Sequence, residues 1–167
     1  MKKRYVIVLA ALAAGAVVPS GTVTAQRPVL PGVSAPAPPK RVGTLTIPKL
    51  HVTQPIYSGV TSSIFDRGVG QVPGSALPGQ LGNMVIGGHR TSGMRPFYDI
   101  QKLRKGDRIL VTRGGTVYTY VVNGTRIVKP SATWILDPTP TSTLTLFSCH
   151  PRGSIRQRYV VTASLQQ

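Results

Sequence analysis

Proline and glycine set the first limit on this chain. Fifteen prolines and eighteen glycines divide 167 residues, and the apolar stretches between them are short. A bundle of long helices does not survive such punctuation, whereas short strands joined by tight turns do. Seven or eight strands can be read between Arg41 and Leu165. Gly43–Leu50 alternates, with Pro48 marking an edge or a bend, and Val52–Val60 follows. Asn83–Gly87 reads as a buried strand. Asp107–Thr112 and Thr116–Val122 flank Gly114-Gly115 as a hairpin. Asn123-Gly124 is a turn or a bulge before Thr125–Val128. Leu144–Cys149 and Tyr159–Ala163 complete the set. Thr61–Phe65 reads as a helical turn. Pro96–Leu103, with Phe97, Ile100 and Leu103 at helical spacing, reads as a short helix. The pattern predicts an all-β barrel or sandwich.

The N-terminus has a different character. Lys2, Lys3 and Arg4 precede an apolar run, Tyr5–Val18, and Val23-Thr24-Ala25 offers a small-residue cleavage site. Residues 1–26 therefore form either a signal peptide or an uncleaved membrane anchor, and both place the remainder outside the cell. Residues 27–42 are proline-rich and read as an extracytoplasmic linker. The folded domain is expected over 43–167.

Charge narrows the chemistry. Twenty Lys and Arg face four acids, a net +16. The acids are Asp66, Asp99, Asp107 and Asp137, no two within one helical turn of sequence. Paired-carboxylate hydrolysis and calcium cages need clusters of acids. The positive charge suits an anionic surface such as a cell wall or membrane, or is simply solvated. No interleaved aromatic platform for nucleic acid is present, and neither a metal nor a cofactor is expected.

One cysteine remains, Cys149, so no internal disulfide can form. A lone cysteine is usually a small buried hydrophobe. Here it ends an apolar strand and abuts His150-Pro151-Arg152-Gly153, a polar, cationic setting that favours a reactive thiol. A nucleophilic cysteine needs a proton partner. His150 is adjacent, but neighbouring side chains on a strand point to opposite faces. His51 has no supporting context. His89 follows the buried strand Asn83–Gly87, and Gly87-Gly88 permits close approach. A donor for a developing oxyanion is also required. Arg152, Arg156 and Arg158 are all near, and Arg158 opens the last strand.

These residues together resemble the sortases, cysteine transpeptidases of the Gram-positive cell surface. The likeness rests on Gly88-His89, on Thr145-Leu146-Phe147-Ser148-Cys149, and on an arginine nine residues further on. The family's cysteine motif is commonly Thr-Leu-x-Thr-Cys, so Ser148 keeps the hydroxyl and loses the methyl. The stretches FDRGVGQVPGSALPGQLGN, GGHRTSGMRPF, LRKGD and CHPRGSIRQRYVV look most like the actinobacterial class E branch. The resemblance covers roughly 45–165.

It implies a closed eight-stranded β-barrel with one or two short helices. It implies that Cys149 attacks the Thr–Gly bond of an LPxTG or LAxTG sorting signal. His89 would protonate the leaving amine, and Arg158 would hold substrate and oxyanion. The acyl group would pass to a peptidoglycan-precursor or pilin amine. By the same analogy Thr145, Phe147, Ser148, Gly87 and Trp134 line the substrate groove. The shortage of acids argues against calcium activation. Two other readings remain. A non-catalytic, basic, wall-binding barrel fits the charge. An L,D-transpeptidase fits less well, because Ser148-Cys149 lacks that family's intervening His-Gly.

Overall fold

The computed structural model describes residues 37–166. The signal or anchor segment 1–26 and most of the expected linker lie outside them. Among the described residues, no helix is long and apolar enough to cross a membrane.

Eight strands close into a barrel. In chain order they are β1 (Arg41–Ile47), β2 (Val52–Ser58), β3 (Val69–Gln71), β4 (Gly82–Gly87), β5 (Arg108–Arg113), β6 (Thr116–Val128), β7 (Ser142–His150) and β8 (Gln157–Leu165). Around the barrel they run β1-β2-β3-β4-β7-β8-β6-β5. The β2–β3 and β4–β7 pairs are parallel, and the rest are antiparallel. Closure removes every free sheet edge, which suits a chain with short strands. Among the described residues there is one α-helix, α1, the single turn Ser62–Phe65.

Alternation decides what enters the core. On β7, Leu144 and Leu146 are fully buried within it, as are Met84 and Ile86 on β4 and Val161 and Ala163 on β8. The opposite parity of the same strands carries Thr145, Phe147 and Cys149, with Arg158, Val160 and Thr162 beside them. A one-residue slip of β7 would turn the whole set inward.

Three expectations need correction. The strand proposed at Val52–Val60 ends at Ser58. β1 begins at Arg41, so Arg41 and Val42 are strand rather than linker, and Val42 packs on the core. Pro96–Leu103 is not a helix: it is turns ending in a 3-10 segment, Ile100–Lys102. Its apolar spacing is nevertheless meaningful, because Phe97, Ile100 and Leu103 are all fully buried against the barrel, each stabilising by about 1.5–3 kcal/mol. Of the two readings of Asn123-Gly124, the bulge is the one observed, and β6 runs unbroken through it.

β3 has no sequence counterpart. It is three residues long, and a Cβ on Gly70 would stand 2.1 Å from the Gly59 carbonyl oxygen. Only glycine allows that approach, and a three-residue Val-Gly-Gln run carries no period.

Candidate active site

The register of three strands brings the candidate residues together. Gly87 on β4 pairs with Phe147 on β7. Two residues past that pair stand His89 and Cys149. On its other side, Cys149 pairs with Arg158 of β8. The half-buried thiol thus lies between an imidazole and a guanidinium. All three residues line one cavity of about 470 Å³, with Phe65, Phe147 and Ile155 among its apolar walls.

His89 is fixed from several directions. Its carbonyl accepts the Phe97 N–H at 3.1 Å. The edge of its ring meets Phe65, centroids 5.3 Å apart. Its Nε2 lies 3.3 Å from Asp66 Oδ1. Gly93, at φ +54°, makes room for that contact, because a Cβ there would fall 2.6 Å from the same carboxylate oxygen. Gly88 serves the backbone similarly, since a Cβ would strike the Phe97 ring at 2.9 Å.

The three arginines after Cys149 separate cleanly. Arg152 donates to Asp99 Oδ1 at 2.6 Å and stacks on Tyr98 at 3.9 Å. Arg156 is exposed and lines a neighbouring open groove with Lys129 and Ser131. Arg158 faces the cavity, and its Nη1 donates to the Ile155 and Gln157 carbonyls at 2.9 and 3.0 Å. Those bonds hold its fork against the loop that forms the cavity wall.

The proposed groove residues divide between two hollows. Phe147 and Ser148 line the cavity with Cys149. Ser148 is only 2% exposed, and its hydroxyl is buried without a partner. Gly87 is not a wall residue. A Cβ there would come 2.6 Å from the Phe147 ring and 2.9 Å from Phe65, so it lets both rings close over the strand end. Thr145 and Trp134 line a second hollow of about 320 Å³ with Asn83, Asp137 and Thr162. Trp134 is half exposed, with the Arg126 guanidinium 5.4 Å from its ring. Asn83 secures that loop by donating to the Ile135 and Asp137 carbonyls at 3.0 and 3.1 Å.

The sequence matches the Sortase domain family over residues 45–166. This chain belongs to the sortase family. It is 33% identical over 133 residues to sortase SrtE1 of Streptomyces coelicolor, covering 70% of this chain and 38% of that protein. It is 30% identical over 123 residues to sortase D of Bacillus subtilis, covering 71% and 61%. The chain therefore spans about 38% to 61% of the length of the curated sortases it matches. Among solved structures, sortase E of Streptomyces avermitilis superposes with a TM-score of 0.70 at 31% identity, covering 77% of this chain and 89% of that one. Sortase A of Corynebacterium diphtheriae gives 0.74 at 29% identity, covering 79% and 63%. The closed barrel is thus the family's fold.

Two residues at the site had no reading in the sequence. Asp66 was one acid among four, and Arg90 was merely the residue after His89. Arg90 is 4% exposed and donates to the Cys149 carbonyl at 3.2 Å. His150, set aside by strand alternation, turns away from the cavity and meets Arg90 at 2.7 Å. Burial, and then the Arg90 charge, hold the His150 imidazole below its ordinary pKa.

Proposed function

We propose that this protein is a cysteine transpeptidase acting on LPxTG- or LAxTG-type sorting signals. Cys149 Sγ attacks the threonine carbonyl of the Thr–Gly bond. The C–N bond breaks and a thioester forms. His89 gives its proton to the departing glycine amine. An incoming amine then attacks the thioester, its proton passes to His89, the C–S bond breaks and Cys149 leaves as thiolate. Arg158 holds the carbonyl oxygen, stays charged at any working pH, and stabilises negative charge as it develops there.

The observation that carries this reading is the flanking of Cys149 by His89 and Arg158 in one cavity. The reach of the outward strand face supports the signal's length. Thr145 and Cys149 are four residues apart on β7, a rise of about 13 Å. An extended substrate whose threonine carbonyl sits at Cys149 spans the same distance in about four residues. Its first side chain then lies by the Trp134–Thr145 hollow, where Trp134, Ile135 and Val160 offer a leucine apolar contact within a mostly polar lining.

The acceptor is a peptidoglycan-precursor or pilin amine. The open groove beside the cavity shares Gly153, Ser154 and Ile155 with it and adds Lys129 and Arg156, a path suited to an anionic carrier. The protein acts outside the cell, held at the membrane or exported by residues 1–26.

Mass spectrometry of the full chain with LPxTG and LAxTG peptides tests the reading. The expected result is an acyl adduct on Cys149 with loss of the glycine-side fragment, absent in Cys149→Ala. No adduct, together with a thiol inert to alkylation, overturns it in favour of a wall-binding barrel.

A further inference from the structure

Among the described residues, Arg90 is the charged side chain that is almost wholly buried. Its guanidinium reaches beneath the end of β7. Nη1 donates to the Cys149 carbonyl at 3.2 Å and faces His150 Nδ1 at 2.7 Å. Nη2 donates to Gln101 Oε1 at 2.8 Å. The Tyr159 ring lies 5.5 Å from the guanidinium carbon. Such an investment at a strand end calls for an explanation, because a buried cation is costly unless well bonded.

Arginine has donors only. The short contact therefore requires His150 Nδ1 to accept, which makes that nitrogen unprotonated. The other charged or titratable groups acting on Arg90 are Arg152, Tyr159, Asp99 and Cys149. Arg152 opposes a second positive charge there, and the one nearby carboxylate, Asp99, is already engaged by Lys102 and Arg152.

We propose that Arg90 is a positioning residue: it fixes the peptide that carries Cys149 and holds His150 neutral, leaving His89 as the imidazole that delivers the proton. The inference rests on Cys149 being the nucleophile. It adds an electrostatic reason for the division of labour to the strand alternation that already turns His150 away from the cavity. A charged His150 would break the bond to Arg90 and release the end of β7. Fixing that end matters, because small misplacements of a reacting atom are expensive in rate.

The test uses the full chain and the variants R90K, R90M and H150Q, with folding checked by circular dichroism. Proton NMR follows the His150 ring against pH, and single-turnover kinetics follow thioester formation. In R90M the His150 midpoint should rise toward its ordinary value, and kcat should fall on the order of tenfold or more, with KM little changed. R90K keeps the charge, so the midpoint should stay low and part of kcat should return. H150Q should keep most of the activity, because glutamine is uncharged and its amide oxygen accepts from an arginine donor. A folded R90M with both readouts unmoved overturns the proposal, and so does an inactive H150Q. If R90M does not fold, R90K and H150Q still decide it. If the wild type forms no thioester, the transpeptidase reading fails, while the His150 titration still reports on Arg90.

Discussion

Cys149 and Arg158 stand opposite each other in the antiparallel ladder between β7 and β8. Both lie on the outward parity of their strands, and the inward parity of the same ladder fills the core. The register that buries Leu146 against Val161 is therefore the register that pairs thiol with guanidinium. Packing energy holds the candidate site in place.

That ladder makes a sharp distinction among neighbouring arginines. Arg158→Ala should lower thioester formation on the order of 10²–10³-fold, the scale of losing an oxyanion donor. Arg158→Lys should recover only part, since lysine lacks the planar fork. Arg156→Ala should change acylation by no more than a few-fold, because Arg156 is exposed on the adjoining groove. Single-turnover kinetics decide the matter, and a larger loss from Arg156→Ala reverses the assignment.

The loop bearing Trp134 depends on one amide. Asn83→Ala removes two hydrogen bonds and strands the Ile135 and Asp137 carbonyls. A loss of about 1–3 kcal/mol in stability is expected. KM for a sorting-signal peptide should rise more than kcat falls, because the hollow lies far from the thiol. Denaturant melts and steady-state kinetics check the two parts. An unchanged KM would remove the hollow from the substrate path.

Strands with strong apolar runs were readable: β4 is buried along almost its whole length, β7 and β8 carry a buried apolar parity, and together they position His89, Cys149 and Arg158. The sequence pattern gave seven or eight strands, and the family resemblance implied eight. The pattern left open whether Asn123-Gly124 divides β6, and it missed β3, whose pairing depends on backbone approach at Gly70. Phe97, Ile100 and Leu103 showed which side chains are buried while misreporting the backbone, because apolar spacing records burial before it records helix. Arg90 and Asp66 were invisible for another reason. Arg90 meets partners 59 and 60 positions away, and Asp66 meets His89 only because Gly93 clears the space. Contacts of that kind belong to the closed barrel and have no local signature.

The Asp66–His89 contact should be modest and salt-sensitive. Asp66 is 58% exposed and 3.3 Å from Nε2, and exposed pairs contribute only about 0–1 kcal/mol. Asp66→Asn should slow turnover a few-fold at low salt and little at high salt. Gly93→Ala should be worse, because it strains a positive φ and drives a methyl into the carboxylate. A salt dependence identical in wild type and Asp66→Asn would show that the pair does not orient His89.

His150 should leave a signature in stability. Its folded pKa lies below the ordinary value of 6.5 through burial and the Arg90 charge. Below about pH 6.5 the unfolded chain takes up a proton at this site that the folded chain refuses. Stability is therefore full above that pH, falls as pH drops through the folded midpoint, and then levels. Asp99 and Asp107 act in a separate, more acidic window. The Lys102 hydrogen bond leads in holding Asp99 below 3.8, while at Asp107 burial is outweighed by Lys49 and the Arg104 amide. Both contributions are full above 3.8 and are lost as pH falls through the depressed folded values. Urea unfolding at stepped pH separates the windows. His150→Gln should flatten the first decline and leave the second intact, whereas parallel curves for wild type and variant would place the first decline elsewhere in the protein.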